Sequence, residues 1–337
     1  MKKIMWILLV VIVAILLGGI IWLMTIDGSY HVKKSAIIKT APEKVYQTVS
    51  DFNSWSIWSP WLCVEPDADV TISGDGKQQG AVYAWVGKMV GSGEIEHKQL
   101  DLNTFIDQEI RFLKPFKSQS NVYWQFEPAG EGTKVTWGMQ GKMPFFFKFM
   151  VKQMEPWIGM DYERGLKMLK DHLEKGSIAS HLEIEGVTEF PETHYVGIKV
   201  TCPMDEVGPS MKKSFTALGE FCTNETIIYD KALSVYHKFD FTDPECTYSS
   251  AVPVSADFTV SNEQFYKGMI PSLKAVKVVF TGDYEHLGNG WSAAYSYLRY
   301  KKLKQNKSID PLEVYVTDPQ SEPDPAKWIT EIYLPVK

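Results

Sequence analysis

Residues 4–26, IMWILLVVIVAILLGGIIWLMTI, run without a charged side chain, and no other stretch restricts the fold of this chain as severely. A backbone placed in hydrocarbon must satisfy its own hydrogen bonds, so a single segment of this kind has to be helical. At about 1.5 Å per residue it is long enough to cross a bilayer core of about 30 Å. Trp6 and Trp22 sit near its two ends, where interfacial anchors are found. A cleaved signal would have a shorter apolar region and a small-x-small site, which this run lacks. Residues 1–29 therefore read as an uncleaved transmembrane anchor. Lys2, Lys3 and the amino group precede the span, whereas Asp27 partly offsets Lys33 and Lys34 after it. The positive-inside rule then places the N-terminus in the cytoplasm and the body outside it, a single-pass protein of the cell membrane.

With 337 residues, the chain has room for the anchor and two domains of ordinary size. A net charge of −6 argues against a general nucleic-acid-binding surface, and no helix-turn-helix segment is evident. The four cysteines, Cys63, Cys202, Cys222 and Cys246, form no CxxC pair, so neither a metal site nor a redox motif follows. No HExxH, GxSxG, Walker or dinucleotide motif occurs in a fitting context, and no cofactor is expected.

Residues 30–174 read as one α+β unit. A strand at 31–39 leads to a short helix opened by Pro42, then to the Trp- and Ser-rich loop VSDFNSWSIWSPW. Strand-like runs follow at 81–86, 93–100, 105–112, 120–127 and 133–141. A helical stretch over 145–174, interrupted near Pro156, closes the unit. Antiparallel strands ending in one long helix predict a curved sheet wrapped on that helix. The spacing of Ala41, Pro42, Val45, Val49, Asp51, Trp55, Trp58 and Pro60 resembles the polyketide cyclase/SRPBCC (START-like) family. That resemblance implies a helix-grip fold around an apolar cavity, and binding of lipids, sterols or other hydrophobic molecules. The run PFFFKFM at 144–150 fits a buried helix start, the lining of a cavity mouth or a contact with the bilayer.

After a small, polar linker at 175–181, residues 182–337 show a rough duplication of a strand-helix-strand-strand order, which predicts a sheet with helices on one face and a groove on the other. Its last two strands alternate cleanly. Leu312, Val314 and Val316 oppose Glu313, Tyr315 and Thr317, and Thr330, Ile332 and Leu334 oppose Ile329, Glu331 and Tyr333. Aromatic rings around an unpaired carboxylate suit a flat, partly cationic ligand; the same pattern also fits an ordinary solvated sheet face.

The runs YVGI at 195–198, MDEVG at 204–208, TGDYEHL at 281–287 with Trp291 and Tyr295, EVYVTDP at 313–319 and TEIYLP at 330–335 resemble the GyrI-like small-molecule-binding domain. The resemblance implies that a carboxylate at the position of Glu331 points into a ring-lined groove. It also implies that some members hydrolyse reactive small molecules with that Glu and a Tyr. Poor solvation would raise the pKa of such a carboxylate and suit it to charge pairing or general-base work, with Tyr284, Tyr315 or Tyr333 as the second polar group. The expected ligand-binding set is Glu331, Tyr333, Tyr315, Glu313, Tyr284, Trp291 and Tyr295, and the catalytic candidates are Glu331 and Tyr284. Trp291 and Tyr295, four apart on one helix face, fit core or pocket equally. His286 reads as structural or surface.

The sequence thus predicts an α+β chain of three parts: one transmembrane helix, a helix-grip domain and a duplicated GyrI-like domain. The expected function is a membrane-anchored binding protein whose partners are a hydrophobic or cationic-aromatic small molecule and the membrane, and not nucleic acid. The alternatives are a hydrolase of reactive xenobiotics centred on Glu331, and a lipid-handling module at the bilayer.

Overall fold

The computed structural model describes residues 2–240 and 243–337; Met1, the first residue of the expected anchor, lies outside them. Helix α1 (Lys2–Thr25) is apolar on every side and makes up the one candidate membrane span among the described residues. Only Ile26, Asp27 and Gly28 separate it from strand β1 (Ser29–Ile38).

The first sheet continues through α2 (Pro42–Ser50) and α3 (Trp55–Trp58) into β2 (Asp69–Ile72), β3 (Val82–Val86), β4 (Ser92–Asp101), β5 (Phe105–Lys114), β6 (Ser118–Ala129) and β7 (Gly132–Lys142). The seven strands are antiparallel in the order β1-β7-β6-β5-β4-β3-β2. Helix α4 (Val151–Lys175) lies across them and buries Tyr162, Leu166, Leu169 and Leu173 at the three-and-four spacing of one helix face. It ends at Gly176, whose φ of 77° provides the left-handed cap. Two details depart from expectation. Residues Phe145–Met150 form a separate 3-10 turn before α4, and α4 passes through Pro156 without a break. Proline costs that turn one N–H, but packing on the sheet holds the helix together.

Rings fill the space between sheet and α4. Trp137 stacks on Trp124 at 4.2 Å and on Tyr162 at 3.9 Å, with Trp58 edge-on to both tryptophans. All four are fully or almost fully buried. Where the resemblance implied an apolar cavity, the helix grips an aromatic core.

The second sheet holds β8 (Ser180–Phe190), β9 (Thr193–Pro203), helix α5 (Val207–Asn224), β10 (Ala232–Lys238), β11 (Glu245–Pro253), β12 (Tyr266–Ile270), β13 (Leu273–Gly282), helix α6 (Gly288–Tyr300), β14 (Leu312–Tyr315) and β15 (Ile329–Pro335). The duplication is therefore strand-strand-helix-strand-strand, one strand longer per half than the sequence suggested. The order β12-β9-β11-β10-β14-β15-β13-β8 shows that the halves exchange their first strands, β8 pairing with β13 and β12 with β9. They meet at β10 and β14, where Leu233 lies opposite Val314.

A buried polar seam joins the two units. The Arg164 guanidinium on α4 donates to Asp161 Oδ1 at 2.6 Å, to Asn289 Oδ1 on α6 at 2.7 Å and to the Pro60 carbonyl at 3.1 Å. Asp171 Oδ2 lies 2.9 Å from His286 Nε2, both side chains being buried. Val64 of the first unit packs into the apolar cluster that contains Trp291.

Candidate ligand site between the two helices of the second sheet

Helix α5 covers β9 and β11, while α6 covers β13, β8 and β15. The central strands β10 and β14 lie in the gap, and the side chains they turn toward the helices define the site. Period-two alternation and the pairing register decide which these are. Glu313 lies opposite Ile332, and Val314 opposite Glu331, so the two glutamates occupy opposite faces of one sheet.

Glu313 is on the helix face and only 1% exposed. Its Oε1 accepts from Trp291 Nε1 at 2.6 Å, and its Oε2 accepts from the hydroxyls of Tyr236 at 2.9 Å and Tyr315 at 2.5 Å. Among the described residues no lysine, arginine or histidine joins the groups that act on its ionisation. Desolvation raises its pKa, opposed by the hydrogen bonds from Tyr315, Trp291 and Tyr236. Burial, followed by the charge of Glu313, pushes the Tyr236 and Tyr315 hydroxyls well above their ordinary pKa, so both remain donors.

Further rings complete the enclosure. Tyr315 meets Phe215 of α5 at 5.4 Å and Tyr284 at 5.6 Å, both edge-on. Tyr284 also packs on Trp328 at 4.7 Å, and its hydroxyl pKa is raised by burial first and the Glu313 charge second. Tyr295 lies farther out, 6.4 Å from Trp291 between ring centres. The structure thus gathers Glu313, Tyr315, Trp291 and Tyr284 into one cluster, with Tyr295 at its border.

Glu331 and Tyr333 are elsewhere. Glu331 Oε1 is paired with Lys277 Nζ at 3.0 Å, and its Oε2 accepts from Tyr333 OH at 2.9 Å. Lys277 also pairs with Glu185 at 3.0 Å. Desolvation works against the Lys277 ammonium, but its hydrogen bonds to Glu331 and Glu185 hold its pKa above the usual lysine value. Glu331 is thus compensated by a cation on its own side of the sheet, which is a different environment from that of Glu313. Much of this helix-free face is closed by an apolar cluster including Phe190, Leu233, Val235, Ile270, Leu273, Leu312 and Val314.

Tyr236, Phe215 and Met211, whose Sδ lies 3.8 Å from the Tyr315 hydroxyl, were missed by sequence reasoning. Tyr236 had a local signal, since the strand ALSVYHK alternates Ser234 and Tyr236 against Leu233 and Val235. The α5 residues had none, because their role depends on a helix more than 80 positions from Glu313 folding over β10 and β14. Among the described residues no group of three or more His, Cys, Asp or Glu is placed to hold a metal.

Comparison with known proteins agrees with this two-part architecture. Residues 29–174 match the family of polyketide cyclases, dehydrases and lipid-transport proteins, and residues 187–337 match the GyrI-like small-molecule-binding domain. The chain carries an SRPBCC-like domain followed by a GyrI-like domain, both of small-molecule-binding type. A cryo-EM structure of an EcmrR–DNA complex is 17% identical, covering 56% of this chain and 69% of that one, with a TM-score of 0.40. The crystal structure of the EcmrR C-terminal domain is 19% identical over 47% of this chain and 98% of that one, at 0.37. The solution structure of the Aha1 dimer from Colwellia psychrerythraea is 20% identical over 44% and 98%, at 0.32. No curated protein matches this chain in sequence.

Proposed function

We propose that this chain is a membrane-anchored binding protein whose GyrI-like domain takes a flat aromatic cation at Glu313. The observation that carries the reading is a fully buried carboxylate held by three aromatic N–H and O–H donors and left, among the described residues, without a cation. Burying an uncompensated charge is costly, and apolar residues would serve stability at least as well. A cation that brings its own charge and stacks on rings would remove that cost. The site is closed as it stands, so ligand entry has to part the rings over Glu313.

The filled interior of the first domain argues against a lipid cargo there and for a scaffold, joined to α6 through Arg164, Asn289, Asp171 and His286. The apolar span, its flanking tryptophans and the lysines ahead of it support an anchor with the body outside the cytoplasm.

The test is equilibrium binding of a planar cationic dye, and of a neutral dye of the same size, to the full chain in micelles. Truncating one partner of a buried charge pair costs about 2–5 kcal/mol, so Glu313→Gln is expected to weaken cation binding by about thirtyfold or more. Neutral-dye binding and the Glu331→Gln variant are expected to change little. Equal loss in Glu331→Gln, or none in Glu313→Gln, overturns the assignment.

A further inference from the structure

We propose that Phe146, Phe147 and Phe149, together with Phe116, form a second membrane contact that lays the first domain against the bilayer at the foot of α1. The proposal rests on reading α1 as a membrane anchor and adds to it how the body is held.

The geometry begins with where the 3-10 turn Phe145–Met150 is fastened. Lys148 Nζ donates to the Ile26 carbonyl at 2.9 Å and reaches the Leu23 carbonyl at 3.4 Å, while Met143 N–H donates to Gly28 O at 2.9 Å. Leu23 lies inside the candidate span. An ammonium over the last carbonyls of a helix caps its negative end, and here it also ties the turn beside the last turn of the spanning helix. With only three residues between Thr25 and Ser29, at no more than about 3.6 Å each, the domain cannot stand off from the surface that α1 leaves.

Phe146, Phe147 and Phe149 on this turn stand outside the protein's own core. Phe146 is 70% exposed and Phe149 50%, with Phe147 also exposed. The β5–β6 hairpin brings in Phe116, 71% exposed and 6.1 Å from the Phe147 ring. Single exposed apolar residues are ordinary, but four phenylalanines on two adjoining segments make a patch that needs a partner. Charge identifies that partner. Residues 113–117 and 142–152 contain Lys114, Lys117, Lys142, Lys148 and Lys152 and no Asp or Glu, in a chain whose net charge is −6. Asp27 is the acid beside them, bound to the Ser29 amide. Rings flanked by lysines match the boundary between acyl chains and anionic headgroups, where rings insert and ammonium groups stay at the surface.

The experiment uses the full chain in phosphatidylcholine–phosphatidylglycerol nanodiscs with single nitroxide labels at Phe146→Cys and Phe116→Cys. Controls are Leu102→Cys, at the opposite end of β5, and Ile228→Cys in the second domain, 74% and 92% exposed in the parent chain. The unmutated chain supplies the background from its own cysteines. Collision with oxygen, which enters the bilayer, is compared with collision with a water-soluble nickel chelate. The oxygen-to-nickel ratio at 146 and 116 is expected to exceed that at 102 and 228 by about tenfold, as for side chains below the headgroups. Ratios at 146 and 116 equal to those of the controls, with the chain still in the disc, overturn the proposal alone. A chain that does not enter the disc overturns the anchor reading and the proposal with it. Shielding from both reagents, with dipolar coupling between labels on two chains, assigns the patch to a second copy and also overturns it.

Discussion

Acidification is expected to cost the first domain about 3 kcal/mol through one imidazole. His97 is fully buried and lies flat on Phe52, at 4.0 Å between ring centres and 2° between planes. Its Nε2 is 3.0 Å from the Ser50 carbonyl, and its Nδ1 is 3.2 Å from Gln108 Nε2. The Gln108 carbonyl oxygen is taken by Trp124 Nε1 at 3.1 Å, which fixes the amide. The imidazole must therefore be neutral, with its proton on Nε2. A second proton on Nδ1 would point at an N–H, and turning the amide would leave the buried Trp124 N–H without an acceptor. Desolvation accordingly lowers the His97 pKa from 6.5 to about 4, with the Ser50 hydrogen bond offsetting only part of the effect. Because the folded value is the lower one, the unfolded chain takes up a proton between these limits that the folded chain refuses. Stability is thus lost as pH falls through that window. The gap between 6.5 and about 4, at about 1.4 kcal/mol per pKa unit, amounts to about 3 kcal/mol. Asp51, Glu96 and Glu174 have lowered pKa values and add their own acid losses, so the comparison is with His97→Gln. Urea unfolding of both proteins, read from the near-ultraviolet ring signal, is expected to show the parent losing about 3 kcal/mol more than the variant from pH 7 to pH 4. Nitrogen chemical shifts of His97 should report the Nε2–H tautomer throughout most of that range. Parallel stability curves, or a His97 titration near its ordinary value, would refute the network argument.

Two other outcomes test the packing. Trp137→Ala removes the ring between Trp124 and Tyr162, with an expected loss of about 3–5 kcal/mol. The resulting apolar void is expected to take benzene, so that benzene raises the melting temperature of the variant and not of the parent; no such difference would mean that the core collapses or that space was already present. Arg164→Met leaves Asn289 Oδ1 without its donor, the Pro60 carbonyl with only the weak Cys63 thiol donor and Asp161 with Trp61 as its remaining partner, at an expected cost of about 3 kcal/mol. A double-mutant cycle with Asn289→Leu, followed by urea unfolding, is expected to give at least about 1 kcal/mol of coupling between the domains, and additivity would remove this contact from the seam.

What could be read in the sequence was whatever depended on neighbours along the chain. The apolar run needs only its own composition to be recognised, and the strands around Glu313 and Glu331 announce themselves by alternation. Alternation sorts residues into two faces but does not say which face the helices cover, nor how two strands are aligned. A one-residue difference in the pairing of β14 with β15 would put Glu313 and Glu331 on the same face. The observed register sets Glu313 beside Ile332, in the layer with Trp291, and Glu331 beside Val314, in the layer with Lys277. His286, read as structural or surface, is structural, and its partner Asp171 was out of reach of the sequence because it lies 115 positions away on a helix of the other domain. The packed interior of the first domain had a compositional signal in the chain's 11 tryptophans, but only the fold shows three of them converging with Tyr162.

The duplication explains why a buried acid stands at the middle of the second sheet. Each half supplies one helix, each helix covers mainly the strands away from the midline, and β10 and β14 are left with their side chains in the gap. Leucine or phenylalanine at position 313 would close that gap without a desolvation cost, and Tyr236, Tyr315 and Trp291 would no longer need to turn their polar atoms inward. The chain instead spends three donors on one carboxylate and still leaves its charge uncompensated. A merely structural carboxylate predicts that Glu313→Gln alters stability and leaves discrimination between charged and neutral dyes intact. A binding carboxylate predicts that discrimination is lost even in a variant that stays folded. The ratio of the two affinities, which cancels any general loosening of the site, therefore decides between them.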